Sequence, residues 1–550
     1  MSEIKEHVSS ETIAKGEALL QKYKRGKANL EARIVENEQW YKVRHWQQLN
    51  HDKNVAGSAW LFNSIANKHA DIMDNIPDCA VLPREGSDID AALALTDIVP
   101  VIIEQNEFEQ TYSDVAWYKL KTGTGVYGVF WNSKKLNGLG DIDIRQIDIL
   151  NLFWEPGIKD IQDSKNVFFV TLEDNDALEL QYEQLRGKTG HGGAVEITKY
   201  IYDDTVDTSQ KSAVVDWYYK TGGVLHFCRF CNHTLLYASE NDPDYAQRGY
   251  YDHGKYPFVF DVMFTEEGTP AGFGYIDIMK EPQKQIDALS SAIVRNATAA
   301  ATPRWFVRQD SNINLEEFAD WSKAFVKVSG VMDKDSLQQI NVNGLSGTYV
   351  AILNNKIEEL KETSGNRDFS QGGTSSGVTA ASAIAALQEA GSKLSRDMIA
   401  SSYRAYTKIV YLIIELIRQF YDQPRCFRIV GANGAEFIAY DNSGLQPQPQ
   451  GNDFGLDLGT RVPVFDVKVR AHKKSAFSRL SQNELAKELF GLGVFNPQLA
   501  DQAAAMLELM DFEGRDEVLQ RVQQNGAAFM QMMAQQAAAQ SGAENDDGNV

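Results

Sequence analysis

The part of the sequence that most constrains the fold is the proline-free run over residues 378–421. Apolar side chains recur along it at steps of three and four residues, which is the spacing of one face of an α-helix, and Gly391 weakens the pattern only locally. At ~1.5 Å per residue, such a helix spans some 65 Å. We therefore predict one long helix that crosses a whole subunit.

Two shorter helices are predicted before it, over residues 281–301 and 348–362. The first has Pro282 in its first turn, where a proline is tolerated, and it ends before Pro303. A small insert lies between the two helices, and a glycine-rich loop follows the second. This order predicts a hairpin of two helices that holds the insert away from the rest of the chain.

Such a hairpin gains little in a monomer, because the outer faces of its helices have nothing to pack against. Copies arranged in a ring would bury these faces against one another, and their helices would form a tube. Small side chains permit the close helix contacts that this needs, and the first helix is rich in them: Ala288, Ser290, Ser291, Ala292, Ala297, Ala299, Ala300 and Ala301. We therefore predict a ring-shaped homo-oligomer.

The rest of the chain is predicted to mix helices and strands. The helical spacing of residues 10–75, 89–103, 108–121 and 478–539 contrasts with segments whose polarity or composition indicates strands. The predicted strands cover residues 80–83, 123–131, 142–153, 168–172, 196–202, 213–220, 224–237, 305–308, 324–328, 427–439 and 464–471. A sheet that follows its helices in this way indicates an α+β fold.

The charge of the chain limits how it can interact with DNA. It has 54 Lys and Arg against 75 Asp and Glu, a formal net charge of −21. Affinity for DNA comes mainly from Lys and Arg that displace counterions, so this balance argues against a gene regulator or a tight DNA binder. It is compatible with a passage for DNA, because a wall that repels a polyanion lets it slide.

Cysteine usage and hydropathy point to a cytoplasmic chain. Four cysteines in 550 residues predict no disulfide framework. The charged N-terminus does not resemble an export signal. The longest apolar run, residues 409–414, is far shorter than the ~20 residues of a membrane helix, so we expect no membrane segment.

The sequence gives little sign of catalysis. The glycine-rich stretch over residues 372–377 lacks the lysine that a phosphate-binding loop requires, and the His-Glu-x-x-His zinc motif does not occur. We expect no catalytic residues and no cofactor. An enzyme of cytoplasmic carbohydrate or nucleotide metabolism, with an unrecognised catalytic cluster, is kept as an alternative.

One cluster resembles a metal site: His226, Cys228, Cys231 and His233. A Cys-x-x-Cys pair with nearby histidines can bind zinc. The segment is predicted to be a strand, however, so the two cysteines should point to opposite faces. The chain also lacks a second cysteine pair. We therefore favour buried thiols over a metal site.

The passage over residues 272–422 resembles the portal proteins of tailed bacteriophages. The most similar stretch starts at Arg367 and continues Asp-Phe-Ser-Gln-Gly-Gly-Thr-Ser-Ser-Gly-Val-Thr-Ala-Ala-Ser-Ala-Ile, like the junction of tunnel loop and long helix in that family. The stretch from Asn63, Ser-Ile-Ala-Asn-Lys-His-Ala-Asp-Ile-Met-Asp-Asn-Ile-Pro, resembles the wing of the same proteins. The resemblance covers roughly residues 40–525.

The resemblance implies how the chain is divided. The expected fold is α+β with a wing, a helical stem hairpin, a small clip insert, a long helix and a helical crown. The expected parts are an N-terminal wing (1–274), a first stem helix (275–302), the clip (303–345), a second stem helix (346–363), the tunnel loop (364–377), the long helix with returning wing strands (378–475), the crown (476–540) and a disordered acidic tail (541–550).

The resemblance also implies a function. Such proteins form rings, dodecameric in the virion, at one vertex of the capsid, where double-stranded DNA passes through without sequence-specific binding. They assemble in the host cytoplasm with the major capsid and scaffold proteins. The clip docks the large subunit of the terminase, which hydrolyses ATP, and later a head–tail adaptor. Another phage structural protein, an adaptor or a capsid-associated one, is the second alternative.

Three groups of residues are candidates for functional contacts. In the tunnel loop, Asn366, Arg367, Ser370 and Gln371 would lie near the DNA backbone, and one arginine per copy gives a weak positive belt. On the stem, the candidates that would face the channel are Lys284, Arg295, Lys356 and Lys361, although they could instead pair with Asp287, Glu358, Glu359 and Glu362 on neighbouring copies. In the clip, the docking candidates are Arg304, Trp305 and Arg308, with Phe306 expected in the core of the insert.

Overall fold

The computed structural model describes residues 8–45, 57–190, 210–302, 304–308, 313–320, 322–329, 337–340, 344, 347–365, 393–431, 434–449, 452–453, 456–457, 459–473, 486–508 and 515–544. The chain forms two compact units. Unit 1 comprises Met1–Met73 and Pro77–Arg470, and unit 2 comprises Asp74–Ile76 and Ala471–Val550.

The α-helices of the described part lie mostly in unit 1. They are α1 (Ser10–Tyr41), α2 (Trp60–Met73), α3 (Ile89–Gln105), α4 (Phe108–Thr122), α5 (Asn175–Gln181), α6 (Tyr275–Ala301), α7 (Leu315–Ala319), α8 (Gly347–Ser364), α9 (Lys393–Phe420), α10 (Ala500–Glu508) and α11 (Arg515–Glu544).

The strands form several small sheets and hairpins. They are β1 (Asn75–Pro83), β2 (Thr124–Asn132), β3 (Asp141–Ile147), β4 (Leu152–Trp154), β5 (Asn166–Asp174), β6 (Lys211–Thr221), β7 (Val224–Cys231), β8 (Thr234–Ala238), β9 (Phe258–Val262), β10 (Phe264–Thr265), β11 (Gly272–Phe273), β12 (Arg304–Val307), β13 (Leu337–Ile340), β14 (Arg425–Gly431), β15 (Gly434–Tyr440), β16 (Gln448–Pro449), β17 (Asn452–Asp453), β18 (Leu456–Asp457), β19 (Thr460–Arg461) and β20 (Phe465–Lys473). This mixture confirms the predicted α+β class.

The largest sheet has the order β4-β5-β6-β7-β8, with every neighbouring pair antiparallel. Helix α1 covers one face of it, and Leu20 packs there with Phe168 and Trp217. The helix approaches so closely that a Cβ at Gly16 would lie 2.8 Å from the Trp217 ring. A larger residue at this helix position would have to displace a buried tryptophan.

The long helix α9 packs on β9 and β2 of the sheet β3-β2-β9. Its apolar stripe is buried, including Ile409, Leu412 and Leu416. Over residues 393–420 the predicted long helix is therefore confirmed, and the preceding part of the prediction, residues 378–392, lies outside the described residues. Burial of one continuous apolar face along α9 holds it against the body of unit 1.

Buried lysines hold the first turns of α9. Lys68 Nζ donates to Ser395 Oγ at 2.9 Å. Lys119 Nζ lies 2.6 Å from Asp261 Oδ1 and 2.9 Å from the backbone oxygen of Met398. Both lysine side chains are almost completely buried, so the start of α9 is held by charged groups as well as by apolar packing.

Helices α6 and α8 pack against each other as predicted, and β12 pairs with β13 beyond them. Because β12 follows α6 and β13 leads towards α8, this pairing brings the end of α6 close to the start of α8, and the two helices run antiparallel. Helix α6 starts earlier than the predicted residue 281. The carboxylate of Asp277 accepts a hydrogen bond from the Gly274 N–H at 2.9 Å and so satisfies one of the free amides at this end.

Three segments predicted as single strands are divided. Residues 142–153 split at a 3-10 turn whose cap, Asp148, accepts a hydrogen bond from Leu150 N. Residues 224–237 split into β7 and β8 at Asn232 and His233. Both residues have positive φ, as the two central residues of a type I′ hairpin turn require. Residues 427–439 split into the hairpin β14–β15.

Other strand predictions have mixed outcomes. Residues 324–328 were predicted as a strand, and the structure has only an isolated bridge between Ile313 and Val328. The predicted strand over residues 196–202 lies outside the described residues. Helix α7 and strand β13 were not predicted, because both are short and lack a clear periodic pattern.

From residue 486 onward the described part of unit 2 is mainly helical, as predicted for residues 478–539. Its core joins Leu489, Val494, Leu507 and Val522. Helix α11 continues to Glu544, beyond residue 540, where the disordered tail was predicted to begin. In the described part of the chain, no helix combines the length and apolar character needed to cross a membrane.

Candidate assembly surface on the helical hairpin

The base of the hairpin is fixed in unit 1 by a buried carboxylate on α6. Asp287 accepts hydrogen bonds from Ser58 N at 2.8 Å, Ser58 Oγ at 2.6 Å and Gln283 Nε2 at 3.0 Å, and its other oxygen lies 3.1 Å from His45 Nε2. Burial opposes ionisation, but these hydrogen bonds outweigh it and hold the pKa of Asp287 below its ordinary value. Asp287 is thus bound within its own chain, which corrects the suggestion that it pairs with a stem cation of a neighbour.

The distal part of the hairpin is, by contrast, uncovered. We define it as residues 288–301 of α6 and 347–359 of α8, and none of these residues is buried. Several of its exposed side chains are large and apolar: Val294, Tyr349, Val350 and Ile352. Each helix therefore packs on the other along one flank and leaves apolar surface on the rest.

The two candidate stem lysines on α8 pair with carboxylates on their own helix. Lys356 Nζ lies 2.7 Å from Glu359 Oε2, and Lys361 Nζ lies 3.3 Å from Glu358 Oε1, each pair three residues apart. Such pairs reduce the field that each lysine projects outward. The predicted alternative, a pairing between copies, is not needed to explain these charges.

The other two stem cations lie on α6. Lys284 Nζ is 3.9 Å from Glu281 Oε1, so it too has a carboxylate on its own helix. Arg295 is exposed on the distal part of the hairpin. The hairpin therefore presents few cations relative to its apolar surface.

The described residues of the insert between the helices form little core. Trp305 packs edge to face with Phe318, with ring centroids 5.5 Å apart. Phe306, which was predicted to lie in the core, is 64% exposed, and Phe325 is 86% exposed. The prediction for Phe306 was wrong because side chains alternate along β12, and the ring that meets α7 is that of Trp305. Arg304 and Arg308 are exposed on the same strand segment.

A comparison with known families decides what kind of protein carries this hairpin. The family model described as phage P22-like portal protein matches residues 61–547, most of the chain. The chain belongs to the P22-like portal protein family. The predicted recognition is thereby confirmed. A search of curated proteins found no match.

Membership of a portal family has consequences for class and location. The family is structural, which agrees with the expectation that the chain is not an enzyme. It also places the protein at the vertex of a phage capsid, as part of a capsid-associated oligomer.

The tunnel-loop residues of this portal protein cannot be placed. Asn366, Arg367, Ser370 and Gln371 lie outside the described residues, which stop at Gly365 after α8 and resume with α9. Their role as channel contacts therefore stays a prediction.

The cysteine cluster is divided between two cores, as the strand pattern predicted. Cys228 lies in the core under α1, whereas Cys231 lies in a second core with Leu178 and Val214. Burial raises the pKa of Cys228 to about 12 and that of Cys231 to about 11, so both thiols are protonated at neutral pH. The described residues contain no group of three or more His, Cys, Asp or Glu side chains placed to hold a metal.

Sequence reasoning missed the polar contacts that hold the hairpin and the long helix. Asp287 and His45 are far apart in sequence, and no local motif links them. Lys119 offered a signal, because it falls in helical register with the buried Tyr112 and Val115 of α4. A lysine on the buried face of a helix indicates a partner in the core.

Proposed function

We propose that this portal protein assembles as a ring whose hairpins line a channel for double-stranded DNA in packaging and ejection. In this proposal residues 275–302 and 346–363 form the stem and residues 303–345 form the clip. Residues 1–274 form the N-terminal wing, residues 378–475 the long helix and returning wing strands, and residues 476–540 the crown. The ring is a dodecamer in the virion and assembles in the host cytoplasm.

The observation that carries the proposal is the uncovered distal hairpin. A single chain leaves both helices without one buried residue over residues 288–301 and 347–359. Val294 is 64% exposed there, and the residues three positions away on its helix, Ser291 and Ala297, are small. Helices of this kind are stable when neighbouring copies cover them, and family membership supplies the expectation of an oligomer.

The charges support a channel that guides DNA without binding it tightly. Lys284, Lys356 and Lys361 of the stem each have a carboxylate three residues away, and Lys280 pairs with Glu36 of α1. The whole chain has a net charge of −21. Because few cations of the stem are free of carboxylate partners, few counterions would be displaced from the DNA, and the duplex would be held only weakly. In the proposal, Arg367 of the tunnel loop (364–377) adds a weak positive belt, with Asn366, Ser370 and Gln371 beside it.

The insert supports a docking role. Exposed aromatic and arginine side chains are the groups that contribute most to protein–protein interfaces. Phe306 and Phe325 are both exposed in this insert, and so are Arg304 and Arg308. We propose that this surface receives the large subunit of the terminase and later a head–tail adaptor, while major capsid and scaffold proteins contact the ring elsewhere.

Substitution of an exposed hairpin residue tests the ring. Val294→Asp replaces an exposed apolar side chain by a charge, and we expect it to convert rings into monomers of 61.5 kDa in mass photometry. Leu136→Asp is a matched control, because Leu136 is 59% exposed but lies outside the hairpin. If Val294→Asp forms rings as readily as the control, the hairpin does not form the contact between copies.

A further inference from the structure

A pocket of about 260 Å³ lies where α9 passes over β9. Its floor is apolar and includes Phe258, Val259 and Leu412, all buried. Most sites for cofactors and small molecules measure ~300–1,000 Å³. The pocket is therefore better suited to one large apolar side chain than to a complete small ligand.

The rim of this pocket is basic, although the chain is acidic overall. The charged residues that line the pocket are Lys159, Lys255 and Lys408, with two carboxylates, Asp160 and Glu415. Lys159 lies 3.7 Å from Glu267 and Lys408 lies 3.6 Å from Asp160, and both pairs are exposed and long, so they neutralise the rim only weakly. Lys255 has no ion pair among the described residues. The rim favours a partner with negative charge.

Side chains around the pocket leave the rim with a positive charge. The one glutamate of the wall, Glu415, is bound by Arg418 at 2.7 Å. Lys220 adds a fourth lysine nearby, since its Nζ donates to the backbone oxygen of the wall residue Gln162 at 2.7 Å. An apolar pocket with lysines around it would accept an apolar anchor that is flanked by carboxylates.

The same chain carries such an anchor on α5. Leu180 is 85% exposed. Residues 173–183, which we call the acidic knob, contain five carboxylates and neither lysine nor arginine. The ion pairs of Asp174 and Glu183 with cations outside the knob are 3.7 and 3.8 Å long and exposed. The acidic knob thus complements the pocket in polarity and in charge.

The two surfaces lie at opposite ends of the largest sheet. Strand β5 begins at Asn166, shortly after the wall residue Gln162, and it ends at Asp174 in the acidic knob. Its length is ~26 Å at ~3.3 Å per residue. One chain cannot bring its knob to its own pocket without unfolding the sheet, whereas two copies placed head to tail can.

We propose that the acidic knob of one copy inserts Leu180 into the pocket of the next copy around the ring. The inference rests on the proposed ring and names a contact that holds its subunits together. Two different patches that meet head to tail generate a ring when the rotation closes. Carboxylates facing the rim lysines also fix the direction in which copies follow one another.

Truncation of the anchor is the first test. Leu180→Ser is compared with Leu93→Ser, a matched leucine that is 61% exposed on α3. Mass photometry over a dilution series gives the concentration at which half of the protein is in rings. Loss of one buried leucine per contact raises that concentration roughly tenfold or more. The Leu93→Ser protein assembles like the natural chain.

Charge reversal is the second test, and a double variant that exchanges both charges should restore assembly. Lys255→Glu and Glu183→Lys each weaken assembly, while the two changes combined in one chain restore it. Lys468→Glu, at an exposed position on β20, serves as the control. A double variant that assembles worse than either single variant would contradict the pairing.

Cross-linking distinguishes a failure of this contact from a failure of the proposed ring. Leu180→Cys and Lys408→Cys are combined with Cys426→Ser, which removes the exposed natural thiol. A disulfide requires Cα atoms within about 7 Å, so a bond between the new cysteines joins two copies and gives a ladder on a non-reducing gel. Intact rings without a ladder, and unaffected by Leu180→Ser, overturn the contact and leave the ring. A natural chain that stays monomeric overturns both.

Discussion

The buried ion pair under α9 allows a quantitative prediction. Lys119 Nζ lies 2.6 Å from Asp261 Oδ1, and Ser402 Oγ donates to Asp261 Oδ2 at 2.7 Å. Both charged side chains are at most 2% exposed, and burial lowers the pKa of Lys119. Asp261→Asn keeps the shape of the side chain and leaves the ammonium without its counter-charge.

Removal of one partner from a buried pair costs roughly 3–5 kcal/mol. Unit 1 contains roughly 470 residues, and an unfolding entropy of ~2.1 cal/mol/K per residue gives ~1.0 kcal/mol/K. A loss of ~3 kcal/mol therefore lowers Tm by ~3 °C. Asp466→Asn is the matched control: its pair with Arg84 is more than half exposed, so its effect stays within ~1 kcal/mol, or ~1 °C.

Differential scanning fluorimetry at one protein concentration measures both variants against the natural chain. A second variant, Lys119→Met with Asp261→Leu, removes both charges and recovers most of the lost Tm, because an apolar pair replaces a buried ionic one at little cost. If Asp261→Asn lowers Tm no more than Asp466→Asn, the pair does not hold α9 as described.

Three further predictions concern other parts of the chain. Burial lowers the pKa of Lys27 to about 7, so between pH ~7 and ~10.5 the unfolded chain binds more protons than the folded chain. The free energy of unfolding should therefore rise with pH in that window. Urea unfolding at several pH values should show this rise in the natural chain and a smaller one in Lys27→Met. Gly16→Val should destabilise unit 1 by roughly 1–3 kcal/mol, measured by the same unfolding, because its side chain meets the Trp217 ring; an unchanged midpoint would contradict this packing. Deletion of residues 371–376 in an infecting phage should reduce the DNA retained in packaged heads, and normal retention would reject a valve role for the tunnel loop.

The sequence predicted the elements that repeat a pattern over many residues. Apolar spacing located the two hairpin helices and the described part of the long helix, since each buries one face against the rest of the chain. It did not locate turns such as the one at Asn232 and His233, because neither residue is glycine or proline, although both adopt positive φ.

Contacts between distant segments could not be predicted in the same way. Asp287 is held by His45 and Ser58, more than 200 residues away, and their pairing depends on how α6 docks rather than on local spacing. Phe306 was assigned to a core because an aromatic residue in a strand is usually buried. In the described part of the insert the Trp305 ring packs on Phe318, while Phe306, the next residue of β12, lies on the opposite face of the strand and is exposed.

The most direct test of the account is negative-stain electron microscopy of the purified full chain, with particle mass from mass photometry. The account predicts annular particles with a central hole wide enough for a DNA duplex, at a mass that is an integral multiple of 61.5 kDa. Compact particles of a single 61.5 kDa chain at every concentration and salt tested would contradict it.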